Sequence, residues 1–296
     1  MSEIKNVILI GATGNLGPTI LSAFLDSSFN VTVLSREGSS STFPPNVKVI
    51  RADYSSTDSL TSAFKGQDAV VSLVGTFGFT EQQKLIDAAI AAGVKRFLPS
   101  EYGSNTQDAR VLAKVPIFQP KVDTVKYLKS VEDKISWSSV ITGPFFDWCL
   151  KVGFFQIDIN SKTATLVDNG TNTFSTTNLA TIGKAVVKVL EKSELTKNQY
   201  VFVSSFETSQ KQILEGVEKI TGEKFTVAEG ITGKGLREEG LAKMQKQDFT
   251  GAYDLIKAQS FGEGGLDNLQ AEGLWNEKLG LEKEDFESSL KAALGL

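Results

Sequence analysis

One stretch of this chain leaves few folds open. Residues 4–10 form a strand-length, largely apolar run that leads straight into Gly11-Ala12-Thr13-Gly14-Asn15-Leu16-Gly17, three glycines spaced G-x-x-G-x-x-G. Beyond them Leu16, Ile20, Leu21, Phe24 and Leu25 recur at helical spacing. Strand, glycine turn and helix, in that order, is the context in which such glycines hold a dinucleotide. Gly11 turns the chain sharply, Gly14 lets backbone approach a pyrophosphate, and Gly17 lets helix and strand pack closely. Free N–H groups at the helix start then face the phosphates. Pro18 is tolerated in a first helical turn, where its missing N–H is not needed. The alternative is a glycine-rich turn in some other α/β protein, and the flanking strand and helix favour the nucleotide reading.

The rest of the first half repeats the β-α pattern. Strands are expected over 30–34, 46–50, 68–75 and 95–98, with helices over 55–65 and 81–92, the latter stopped by Gly93. The fold class that follows is α/β, an NAD(P)-binding Rossmann fold with a doubly wound parallel sheet. Ligands of such sheets bind at the strand ends, which puts Asp53 and Tyr54 by the adenine and Val74 and Gly75 beside the cofactor. Arg36 comes 19 residues after Gly17, where an NAD-binding protein places an acid on the ribose. A guanidinium there grips a 2′-phosphate through two parallel hydrogen bonds, which favours NADP(H). The competing acid is Glu37, and the bland reading of Arg36 is a solvated strand end.

Residues 104–118 show no periodicity and are expected as a loop. In the helix expected from 119 or 120 to about 133, Lys121, Val125 and Leu128 share one face. A lysine inside an apolar stripe, in a first helical turn, has its ammonium form disfavoured by desolvation and by the helix dipole. That is how a lysine becomes a general acid or base near neutral pH. A lysine snorkelling from the edge of the stripe explains the same spacing, and periodicity does not separate the two. A strand over 136–142 then runs into Gly143, Pro144 and Phe145, at the head of an aromatic stretch that includes Phe146 and Trp148. Such a wall suits a flat substrate against a nicotinamide, and ordinary core packing explains much of it too. A hairpin is expected across 163–175, a helix over 178–192, a strand over 200–203 returning to the sheet, a helix capped by Thr208 or Ser209, and a short strand over 225–228. From 234 to 294 the pattern is helical, with glycine-rich interruptions at 262–265. The division expected is a dinucleotide-binding domain over 1–155, completed by segments within 177–205, and a smaller α+β substrate lobe over 156–296, interleaved with it.

The totals exclude several classes. A net charge of −4 over 296 residues gives no basic footprint for nucleic acid. No apolar segment approaches membrane-spanning length, and the apolar run at the N-terminus is too short for a signal peptide. A single cysteine, Cys149, fits a reducing compartment, so a cytoplasmic location is expected. Histidine is absent altogether, which removes Ser-His-Asp and Cys-His nucleophile systems and His-ligated zinc. No metal site is expected. Proton transfer falls to Lys, Tyr, Asp, Glu, a hydroxyl or water.

The glycine loop, Leu34-Ser35-Arg36, Phe97-Leu98-Pro99-Ser100-Glu101-Tyr102-Gly103 and the helix centred on Lys121 resemble the NmrA-like, isoflavone-reductase-like atypical short-chain dehydrogenases. Residues 163–191, with Phe174-Ser175-Thr176-Thr177-Asn178-Leu179-Ala180, look most like fungal members. The likeness runs over nearly the whole chain. It implies NADPH/NADP+ as cofactor and, in the reductase branch of secondary metabolism, hydride delivery to aromatic or conjugated small molecules. By position, Lys121 matches the family's catalytic lysine. Gly11, Thr13, Gly14, Asn15, Leu16, Gly17 and Arg36 match its cofactor loop and 2′-phosphate residue. A second basic residue on that phosphate has no clear counterpart, Lys48 being a weak candidate. The other branch comprises NADP-binding regulators that often lack the lysine. The Y-x-x-x-K match of ordinary short-chain dehydrogenases, Tyr253 to Lys257, lies far past the strand where that pair sits and is rejected.

The expected activity is therefore reduction of a C=C, C=N or C=O bond in a small aromatic or heterocyclic substrate by NADPH, with Lys121 as general acid/base. Lys121, Pro99, Ser100, Gly143, Pro144 and Phe145 flank the nicotinamide, and Tyr102, Phe146 and Trp148 meet the substrate. The competing readings are a non-catalytic NADP(H) sensor that regulates a protein partner, and a non-redox cyclase or isomerase on the same scaffold.

Overall fold

Strands buried on both faces need helices on both, and the alternating pattern of the first half supplies them. The computed structural model describes residues 3–228, 230–262 and 264–296. The β-α run consists of β1 (Asn6–Ile10), α1 (Gly17–Leu25), β2 (Asn30–Arg36), β3 (Lys48–Ala52), α2 (Thr57–Phe64), β4 (Ala69–Ser72), α3 (Gln82–Ala91) and β5 (Arg96–Leu98). Next come α4 (Ala109–Lys114), α5 (Gln119–Ser130), β6 (Ser136–Ile141), α6 (Phe146–Lys151), β7 (Ile157–Asp158), β8 (Thr163–Thr165), β9 (Phe174–Thr176), α7 (Leu179–Glu191) and β10 (Gln199–Phe202). The chain ends with β11 (Phe206–Thr208), α8 (Gln210–Thr221), β12 (Thr226–Ala228), α9 (Gly233–Gln245), α10 (Gly251–Phe261), α11 (Asn276–Leu279) and α12 (Phe286–Leu294).

Seven strands pair in parallel in the order β3-β2-β1-β4-β5-β6-β10. The order reverses between β1 and β4, which opens a crevice at that switch point. Alternation along the strands sorts the core. Val7, Leu9, Val33 and Val71 pack with Ile20 and Phe24 of α1 and Val186 of α7. Ile8, Ile10, Leu34 and Val70 pack with Leu60 of α2, Ile86 of α3 and Leu128 of α5. Both strand expected to return to the sheet and its helix do so, as β10 and α7.

A third cluster, rich in rings, lies outside this sheet: Phe146, Phe155, Phe174 and Phe261 pack with Ile213, Val217 and Leu290. Ser209 rather than Thr208 caps α8, its side chain accepting the Gln212 N–H. Three sequence expectations need correction. The segment 104–118 is not all loop, because it contains α4 and a 3-10 turn at Pro116–Phe118. Six residues are too few to show a period, and what holds α4 is an Asp108 cap and a distant contact of Val111 and Val115 with Leu255. The helix of α5 stops at Ser130, where Val131 leaves helical geometry. The hairpin across 163–175 does not form. Asp168, Asn169 and Gly170 are all left-handed, and the chain leaves that corner so that β8 pairs with β7 and β12 while β9 pairs with β11. Within the interruption at 262–265, residue 263 lies outside the described residues.

Candidate active site

Two clefts open at the C-terminal ends of the strands and meet at the glycine loop. The first, about 740 Å³, lies beyond β1 to β4 and is lined by Gly11, Thr13, Arg36, Tyr54, Val74 and Gly75 among others. Gly11 holds φ +83°, and a Cβ there would meet the Leu73 carbonyl oxygen at 2.5 Å. A Cβ on Gly17 would meet Ala12 backbone at 2.3 Å, so α1 starts as close to the turn as glycine allows. The N–H groups of Thr13, Asn15 and Leu16 donate to no acceptor among the described residues. They stand at the start of α1, where the helix dipole is positive, with Pro18 in its first turn. Arg36 ends β2, exposed on the cleft wall, and its charge bears on Tyr54, whose phenol burial pushes up to about 12. The Tyr54 hydroxyl donates to the Leu34 carbonyl at 3.2 Å.

Asp53 is turned instead to the Ser55 N–H and hydroxyl and does not line the cleft. Neither Glu37 nor Lys48 lines it either. Lys84 does, its Nζ 2.8 Å from Glu81 Oε2 and 3.4 Å from the Tyr54 carbonyl. Sequence reasoning missed Lys84, since nothing on α3 distinguishes it from a solvated lysine. Arg51, also missed, donates to the carbonyls of Ser39 and Ser41 and fixes the two serines on the cleft rim.

The second cleft, about 640 Å³, lies beyond β5 and β6. Asn15, Thr76, Tyr102, Ser104, Lys121, Gly143, Pro144, Phe145 and Trp148 line it. Lys121 is 5 % exposed in the first turn of α5, so it does not snorkel to solvent. Its Nζ donates to the Glu101 carbonyl and lies 4.7 Å from the Phe79 ring centroid and 5.3 Å from that of Phe118. Burial lowers the Lys121 pKa, and the Glu101 charge opposes that. Glu101 is itself buried, which raises its pKa against the pull of Lys121 and of the Thr106 hydroxyl that donates to it. Glu101 Oε1 has no hydrogen-bond partner among the described residues. A buried ammonium beside a buried carboxyl, facing an aromatic cleft, is an arrangement able to give or take a proton there.

Three of the expected contact residues, Pro99, Ser100 and Phe146, fall elsewhere. Ser100 uses its N–H on Gln82 and its hydroxyl on the Val74 carbonyl, so it ties the ends of β4 and β5 together, and neither it nor Pro99 lines a cleft. Phe146 is fully buried against Phe155, Phe206 and Phe286, in the core behind the wall rather than in the wall. Gly14 and Leu16 belong to the glycine turn without lining either cleft. Gly143, at φ +62°, turns with its Cα against the Ser175 carbonyl, which a Cβ would meet at 2.2 Å. The far wall of this cleft comes from α10, through Ala252, Tyr253 and Ile256, and from Phe154. The tyrosine of the discarded Y-x-x-x-K match therefore reaches the cleft mouth, while Lys257 lies over the Phe154 ring at 5.4 Å. No cluster able to hold a metal ion occurs among the described residues, and none of their helices is long and apolar enough to cross a membrane.

A profile of the NmrA-like family matches residues 3–260. Oxidoreductase aprR of Aspergillus flavus is 39% identical over 225 residues, 75% of this chain and 75% of that protein. Oxidoreductase poxI of Penicillium oxalicum is 33% identical over 297 residues, 96% of this chain and 92% of its own. Among solved structures, AtPrR2 with NADP+ and (+)pinoresinol superposes with a TM-score of 0.78 at 20% identity, covering 99% of this chain and all of that one. At that identity the likeness is one of fold.

Proposed function

The chain belongs to the NmrA-like family, and from that premise we propose that it is an NADPH-dependent reductase of a small aromatic or heterocyclic substrate. Relatives named as oxidoreductases and a fold shared with a structure that holds NADP+ and (+)pinoresinol support the reductase and cofactor reading. The residues fit the cofactor. Open N–H groups at the start of α1 suit a pyrophosphate, Arg36 suits the 2′-phosphate, and Tyr54 suits the adenine side. Gly75, Gly143, Pro144 and Phe145 flank the space left for the nicotinamide. Bound there, NADPH supplies a hydride.

The observation that carries the proposal is Lys121, buried on the wall of an aromatic cleft that joins the cofactor cleft at the glycine loop. The walls given by Phe79, Phe118, Phe145 and Trp148 exclude water and hold a flat ring. Lys121 gives a proton to the substrate atom that gains negative charge as hydride arrives, or stabilises that charge as an ammonium. Its hydrogen bond to the Glu101 carbonyl fixes where Nζ sits.

The test is a tryptophan-fluorescence titration with NADPH and NADH, followed by a turnover screen of aromatic enones, ketones and imines. NADPH binding tighter than NADH is expected, and Arg36→Ala removes most of the difference. Lys121→Met keeps NADPH binding and loses about 10²–10⁴-fold in kcat. Turnover untouched by Lys121→Met, or no binding of any nucleotide, sinks the proposal.

A further inference from the structure

Behind the wall of the substrate cleft lies a polar cluster with no part in the cofactor site or in the setting of Lys121. Ser104 lines the cleft yet is only 5% exposed. Its hydroxyl faces two acceptors inside the wall, Gln259 Oε1 and Asp267 Oδ2, each at 3.3 Å. Ser260 donates to the same Asp267 oxygen. Asp267 and Gln259 are all but completely buried, and Asp267 Oδ1 and Gln259 Nε2 have no partner among the described residues. A half-satisfied polar cluster is costly in a core, because each unpaired group has given up its water without a replacement. Here it backs a cleft whose other walls are mostly rings.

The direction of these hydrogen bonds sets what the cleft sees. A serine hydroxyl has one proton and two lone pairs. With acceptors waiting inside the wall, the Ser104 proton points inward and its oxygen meets the cleft as an acceptor. Turning the Gln259 amide over exchanges its oxygen and nitrogen, but Asp267 still takes the Ser104 proton. A ligand that complements this wall must donate. Lys121 in the same cleft disfavours a cation as the donor, which leaves an uncharged O–H or N–H group, and of these a phenol is the strongest donor.

We propose that Ser104, oriented by Asp267 and Gln259, is a specificity-determining contact that selects a phenol or other uncharged hydroxyl on an otherwise apolar aromatic ligand. The proposal rests on the reading of this cleft as the substrate site. It implies that the substrate carries a donor group besides the bond that is reduced, and that the preceding chemistry leaves a hydroxyl free on the ring.

The probes are 7-hydroxycoumarin, 7-methoxycoumarin and unsubstituted coumarin, titrated calorimetrically into the whole protein with and without NADP+, at a slightly acidic pH where the phenol keeps its proton. The hydroxyl compound is expected to bind roughly tenfold tighter than either of the others, one net hydrogen bond's worth. Ser104→Ala removes that preference, and Ser104→Thr, which keeps the hydroxyl, retains it. Equal affinity for the three, a preference that survives Ser104→Ala, or no binding of 7-hydroxycoumarin overturns the proposal. NADPH is titrated into the same samples. Cofactor binding without a hydroxyl preference overturns the Ser104 proposal and leaves the reductase reading standing. Absence of cofactor binding overturns the reductase reading, while the coumarin titrations still judge Ser104.

Discussion

At Lys121 two influences act on one ammonium group: burial disfavours its charge, and the neighbouring Glu101 favours it. If Lys121 works as a general acid, turnover falls on the alkaline side as it loses its proton, at a pH below the ordinary lysine value of about 10.4. Glu101→Gln removes the charge that holds the ammonium up, so the alkaline limb of kcat/KM moves to lower pH. A limb that stays put in a pH-rate profile means that Glu101 is uncharged when Lys121 acts. Much of this was legible in the sequence. A lysine on an apolar stripe one residue after a proline is a local pattern, and the short segment from Glu101 to Ser104 is contiguous. What was not legible is the other half of the wall. Asp267 and Gln259 meet Ser104 across more than half of the chain, and no local spacing records such a contact. Phe146 erred for a related reason: an aromatic run does not say which of its rings faces a cleft and which faces the core.

Glycines let α9 and α10 cross in close contact. A Cβ on Gly251 would meet the Gly240 carbonyl oxygen at 2.3 Å and Lys243 Cβ at 2.8 Å. Because α10 carries Ala252, Tyr253 and Ile256 into the substrate cleft, its distance from α9 sets the width of that cleft. Gly251→Ala is expected to raise the substrate KM several-fold and to cost about 1–3 kcal/mol of stability, with the NADPH dissociation constant unchanged. Steady-state kinetics and a cofactor titration check this together. The parallel strands were legible because apolar runs between helical stripes leave few other readings. The failed hairpin across 163–175 was not, because three successive left-handed residues resemble a turn that joins two strands, whereas here they send the chain away from β8.

Across the whole molecule, the last sheet strand arrives late. Arg96, 1% exposed, donates to the hydroxyls of Ser136 and Ser138 on β6, to Thr196 and to the Ser193 carbonyl. It therefore ties β5 and β6 to the segment that leads into β10. Arg96→Leu takes a donor from each of those oxygens and is expected to cost about 3 kcal/mol, read as a lower urea midpoint with cofactor binding retained in the fraction still folded. The return of 199–202 to the sheet was legible from its apolar texture, while the buried arginine that depends on it was not. The late arrival also sets a schedule for a chain leaving the ribosome. The stretch between Ile141 and Gln199 must be synthesised before β6 gains its outer neighbour, which takes about 3–12 s at roughly 5–20 residues per second. For that interval the nascent protein carries an open strand edge, with an arginine whose later partners, Ser193 and Thr196, are still to be made. Such an edge is a template on which another chain can pair.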